Sequence, residues 1–263
     1  MESASIPRLE RLVAGGLVRA VFLRDRAGGP WLPPAHLEHE RVEFEGNTGA
    51  RLVGHWFPAA RPRGAVVLAH PDRRYGKHWF VKEGYVELLL SEGYDVLTFD
   101  FVGYGESRGP ATYYHEDVLA AARFAQHWAG GFPVHVLGVS MGAFAAANAS
   151  PKLDFVRSMV LESPYPSFNA WYGRGPALYT MKLFDAMFPR TSRSIQADRN
   201  LARAAPERIL VAYSPRDDVT PPELSKQVAA VNPRATLHEV DAPHLGFLQD
   251  KRYVDALLAT LSS

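Results

Sequence analysis

No cysteine occurs in the 263 residues. That excludes disulfides, thiol nucleophiles and cysteine-ligated metals, and it is compatible with a reducing cytoplasm. Basic excess is missing as well. Lys and Arg number 29 against 28 Asp and Glu, a formal charge of +1, which is too balanced for a nucleic-acid binder that relies on a broad basic face. No uncharged apolar run approaches the length of a membrane-spanning helix. Residues 1–22 do not read as a secretory leader, because Glu2, Arg8, Glu10 and Arg11 break up the charge pattern and Arg19 interrupts the apolar stretch at 12–23. There is no H-E-x-x-H spacing and no Walker A loop, and Gly103-Tyr104-Gly105 lacks the third glycine of a dinucleotide fingerprint. No metal and no cofactor is therefore expected. The expectation is a cytoplasmic protein acting on a small molecule.

What is present is ordinary globular composition, 47% hydrophobic and 22% charged, at a length that fits one large domain. Leu9, Val13, Leu17 and Val21 could share one face of a helix, giving an N-terminal helical extension over residues 1–36. Residues 9–23 either cover the protein's own core, line an oligomer contact or touch a membrane surface peripherally. A cluster of Gly and Pro at 28–34 ends this extension, and the main domain runs from 37 to 263. Strand-like segments at 41–44, 51–57, 65–69, 95–100, 134–139, 158–161, 209–213 and 236–240 are interleaved with helical patterns at 79–91, 115–128, 141–149, 223–230 and 253–261. The alternation predicts an α/β fold, a mostly parallel sheet with helices on both faces. Between 161 and 209 lies a stretch rich in aromatics and Met, too long for a bare loop. It predicts a short helical cap inserted over about 164–206.

The strongest chemical signal is Gly138-Val139-Ser140-Met141-Gly142, a G-x-S-x-G pattern with a strand before it and a helix after it. A nucleophile on so tight a turn needs flanking residues without bulk. The helix N-terminus presents the Met141 N–H to a developing oxyanion. Serine needs a base. Of the 10 histidines, His244 directly follows the last strand, on the same sheet rim as Ser140. The base needs an orienting acid. Asp217 and Asp218 follow the preceding strand, and Asp217 is nearer the strand end. Glu162 is an alternative acid at the end of the strand after the elbow. The order Ser140, Asp217, His244 is that of nucleophile, acid and base in one known class of fold.

On these residues, together with Ala69-His70-Pro71-Asp72 after the third strand and Asp100-Phe101-Val102-Gly103-Tyr104-Gly105-Glu106-Ser107 after the fourth, the chain from about Glu43 onward resembles the α/β-hydrolase superfamily. It looks closest to the branch of small carboxylesterases, monoacylglycerol-lipase-like enzymes and serine-peptidase relatives. The resemblance implies an eight-stranded sheet and a serine hydrolase cleaving a carboxylic ester or thioester through an acyl-enzyme. A peptidase or acyltransferase would use the same triad, and a non-catalytic ligand-binding member is the reading from another class. By the same resemblance Asp72 supplies the second oxyanion N–H, and His70 supports the turn. The family's usual His-Gly is here His70-Pro71, and proline has no N–H to give. Trp171, Tyr172 and Phe184 are the candidate substrate-binding side chains. Arg73, Arg74 and Lys77, with the basic residues of the cap, either select an anionic substrate or form a solvated surface.

Overall fold

The computed structural model describes Val13 and residues 33–46, 49–73, 75–109, 113–172 and 177–262. The expected N-terminal helical extension lies almost wholly outside the described residues. Eight strands, β1 (Glu40–Glu45), β2 (Arg51–Phe57), β3 (Gly64–Ala69), β4 (Tyr94–Phe99), β5 (Val134–Val139), β6 (Val156–Glu162), β7 (Arg208–Tyr213) and β8 (Ala235–Glu239), form one sheet in the order β1-β2-β4-β3-β5-β6-β7-β8. β1 and β2 pair antiparallel, β2 joins β4 antiparallel, and every later pairing is parallel.

The central strands β3, β4 and β5 are buried along their whole length and largely apolar, because both faces are covered. Alternate residues of β3 go to opposite layers. Val67 and Ala69 pack with the helices α3 (Tyr114–Trp128) and α4 (Met141–Ala149). Val66 and Leu68 pack with Tyr85 and Leu89 of α2 (Tyr85–Ser91) and with Tyr253 and Leu257 of α10 (Lys251–Ser262). The helical pattern at 79–91 is two pieces, α1 (Trp79–Lys82) and α2, parted at Gly84, whose φ of 84° only glycine adopts without strain.

Between β6 and β7 run α5 (Phe168–Tyr172), α6 (Ala177–Met187), α7 (Pro189–Ser194) and α8 (Ala197–Leu201). Met181, Phe184 and Phe188 are buried in the main core cluster, while Tyr179, Leu183 and Met187 are exposed. α9 (Pro222–Ala230) connects β7 to β8. Among the described residues no helix is long and apolar enough to cross a membrane.

Candidate active site

β5 ends at Val139, and Ser140 turns the chain into α4 with φ 53° and ψ −111°. Such angles cost a non-glycine residue roughly 1–3 kcal/mol and are kept only where neighbours enforce them. Two glycines make the enforcement possible. A Cβ at Gly142 would overlap the carbonyl oxygen of Ala69, and a Cβ at Gly138 would stand 2.5 Å from the carbonyl oxygen of Gly142. The elbow therefore closes against the end of β3 only without side chains there. The Ser140 N–H donates to Glu162 O (2.8 Å), which ties the elbow to β6.

Ser140 Oγ lies 3.0 Å from His244 Nε2, and His244 Nδ1 lies 2.7 Å from Asp217 Oδ2. With Nδ1–H donating to the carboxylate, Nε2 is left to accept the serine proton. The three residues come from the loops after β5, β7 and β8, and all are buried. Asp217 is held further. Ser163 Oγ donates to Oδ2 (2.7 Å), and the N–H groups of Val219 and Thr220 donate to Oδ1 (2.9 and 2.7 Å). Burial pushes the Asp217 carboxyl up, but the hydrogen bond from His244, its charge and the other donors outweigh this and hold it below the ordinary carboxylate value. Asp218 is exposed.

Glu162 sits elsewhere. Its carboxylate is fully buried between the hydroxyls of Tyr85 and Tyr253, which donate to it from the α2 and α10 layer. Burial pushes its pKa up to about 7 against the two phenol donors. Its link to the site is through the backbone and its neighbour Ser163.

β3 and β5 are in register with Ala69 opposite Gly138, so the chain beyond β3 leaves the same rim as Ser140. The buried His70 ring orders that turn: Nδ1–H donates to Pro71 O (2.8 Å), and Nε2 accepts the Phe101 N–H (3.2 Å). Asp72 turns its side chain to Tyr104, whose hydroxyl donates to Oδ1 (2.6 Å). The Asp100 motif is structural. Buried Asp100 accepts from Lys77 Nζ (2.5 Å), the Lys77 N–H (3.0 Å) and the Glu106 N–H (3.1 Å), and Lys77 Nζ also reaches Glu106 (3.0 Å). Lys77 is thus spent inside the protein, whereas Arg73 is exposed and lines the cleft.

A cleft of about 270 Å³ opens on Ser140, Met141 and His244, bounded by Pro71, Asp72 and Arg73 on one side and by Phe168, Trp171 and Tyr172 on another. The Trp171 ring is stacked on Tyr165 (5.2 Å, 14°), and its Nε1–H donates to Val219 O (3.0 Å). Trp171 and Tyr172 thus reach the cleft, and Phe184 does not. It is buried among Met181, Phe168 and Ile195, because α6 turns that face inward. Phe168 and Val219 line the cleft although nothing in the sequence pattern marks them. Ser163, with its φ of 50°, is likewise invisible to a motif search.

Residues 60–209 match the model of a hydrolase family described as serine aminopeptidase, S33. The uncharacterized protein YfhR of Salmonella typhi is 24% identical over 239 residues, spanning 81% of this chain and 76% of that protein. Among solved structures, the esterase Pf2001 of Pyrococcus furiosus superposes with a TM-score of 0.68 at 22% identity, covering 90% of this chain and 95% of that one. XC6422 of Xanthomonas campestris, described as an a/b serine hydrolase without lid, superposes with a TM-score of 0.59 at 18% identity, covering 89% and 94%.

Proposed function

The chain belongs to the serine aminopeptidase S33 family of α/β-hydrolases, and from that premise we propose that it cleaves a carboxylic ester or thioester of a small molecule through an acyl-enzyme. The observation that carries the reading is the hydrogen-bonded series Ser140, His244, Asp217 at the mouth of an aromatic cleft. In this mechanism Ser140 Oγ attacks the carbonyl carbon while His244 Nε2 takes its proton. The imidazolium then gives that proton to the leaving alcohol or thiol as the acyl–oxygen or acyl–sulfur bond breaks. Water, deprotonated by His244, attacks the acyl-enzyme and releases the acid and Ser140. Asp217 fixes the tautomer and stabilises the imidazolium. The Met141 and Asp72 N–H groups hold the oxyanion.

Esters rank above peptides because the cleft is small and walled by aromatic rings. At about 270 Å³ it is near the lower end of the roughly 300–1,000 Å³ of sites for drug-sized ligands, which suits short acyl groups. The test is hydrolysis of p-nitrophenyl esters, acetate through palmitate, by wild type and Ser140→Ala. Wild type should prefer the short esters, and the variant should lose about 10³-fold or more in kcat. Hydrolysis of aminoacyl p-nitroanilides in place of esters would make the protein a peptidase. A folded wild type that hydrolyses neither and is not labelled by a fluorophosphonate would make it a ligand-binding member of the fold.

A further inference from the structure

We propose that Tyr104 is a positioning residue for the oxyanion hole, holding the Asp72 carboxylate away from the place where negative charge develops. The proposal rests on the reading of Ser140 as the nucleophile of an acyl transfer. Because Pro71 has no N–H, the next donor along the loop after β3 is that of Asp72. The donor thus comes with a carboxylate one Cβ away, in a cleft that Asp72 shares with Ser140 and Met141. A like charge beside a developing oxyanion opposes the step that forms it.

The structure supplies a device against this. The Tyr104 hydroxyl donates to Asp72 Oδ1 at 2.6 Å and stands 3.6 Å from Met141 Sδ. One phenol therefore touches both residues whose backbone N–H groups are assigned to the hole. Its ring is 2% exposed and packs against His70 (4.8 Å between ring centres) and Tyr114 (6.1 Å). The loop that carries Tyr104 is pinned by Asp100, against which a Cβ at Gly105 would clash. The donor is thus rigid before substrate arrives. A hydrogen bond from a fixed phenol sets the carboxylate rotamer and draws its charge away from the cleft.

A double-mutant cycle tests the idea, read by kcat and KM on the preferred p-nitrophenyl ester and by the rate of Ser140 phosphonylation with a fluorophosphonate. Tyr104→Phe keeps the ring and removes the donor. It should lower both rates at least tenfold with KM within twofold. In an Asp72→Asn background, where no carboxylate needs restraint, the same substitution should cost less than threefold. Equal factors in the two backgrounds, or an effect on KM alone, overturn the proposal, since a merely structural hydroxyl would behave that way. Should Tyr104→Phe fail to fold, Asp72→Glu with Tyr104 intact moves the carboxylate one methylene past its donor. Slower phosphonylation at unchanged KM supports the proposal, and unchanged rates overturn it. A wild type that neither hydrolyses esters nor is labelled at Ser140 removes the underlying reading and this proposal with it, whereas labelling with equal factors removes this proposal alone.

Discussion

Asp217 accepts four hydrogen bonds on its two oxygens, from His244, Ser163, Val219 and Thr220. An amide in its place keeps the shape but can turn its NH2 toward His244, which then presents the wrong tautomer to Ser140. Asp217→Asn is expected to lower kcat by roughly 10³–10⁴ with the fold intact, by analogy with the orienting acid of serine proteases. Asp218→Asn should stay within twofold, because that side chain is exposed. Steady-state kinetics on both variants checks this, and comparable losses would move the acid. At this scale the sequence was readable where chemistry forces a pattern. Ser140 was marked by its glycines and His244 by its place after the last strand. Ser163 and Tyr104 were not, since their contacts span 54 and 32 residues and follow only from the packing of separate loops. Phe184 shows the limit from the other side. An aromatic in the helical segment after β6 can face either the cleft or the core, and only the turn of α6 decides.

The strand-to-helix junction at Ser140 depends on a close approach between elements. The first turn of α4 passes so near the end of β3 that Gly142 has no room for a Cβ against Ala69 O. Gly142→Ala is therefore predicted to lose nearly all activity and to lower the thermal midpoint, because α4 must withdraw from β3 and take Ser140 with it. Ala143→Gly, one position on, changes helix propensity by only about 1 kcal/mol. If Gly142→Ala keeps wild-type kcat, the close approach is not what shapes the elbow. Most elements were legible because their apolar runs and glycine stops are strong. All eight strands fall where periodicity puts them, to within one or two residues. The break at Gly84 is not legible in the pattern, since a glycine inside a helical pattern also reads as a tolerated defect, and the positive φ that makes it a boundary accompanies the packing of α1 and α2 on the sheet.

For the whole molecule, buried titratable groups set how stability varies with pH. Burial, helped by the nearby charges of Lys77 for His55 and His78 and of Arg157 for His135, holds these histidines at about 3, 4 and 4, below their ordinary 6.5. A proton binds them better in the unfolded chain, so the stability present above pH 6.5 is lost as pH falls toward those values. Glu162 works in the opposite sense. Burial raises it from 4.5 to about 7, so its contribution is present below about pH 4.5 and is lost as pH rises through 7. Burial lowers His70 in the same sense as these three histidines and raises Asp95 in the sense of Glu162; the four histidines outweigh the two raised carboxyls, and the thermal midpoint is expected to be lower at pH 5 than at pH 7.5. In Glu162→Gln that acid-side fall should steepen, since the opposing group that titrates near 7 is gone. A Glu162→Gln midpoint curve parallel to wild type between pH 5 and pH 7.5 would count against this assignment. The peptide bond between Val219 and Thr220 joins two parts of the molecule in another way: its N–H, that of Thr220, donates to Asp217, and its carbonyl, that of Val219, accepts from the indole of Trp171. Cleft wall and the Asp217 carboxylate are thus fastened to the two ends of a single rigid plane. An outward tilt of the wall would turn that plane like a lever on the carboxylate, so the width of the cleft and the orientation of His244, which hydrogen-bonds to that carboxylate, are mechanically linked.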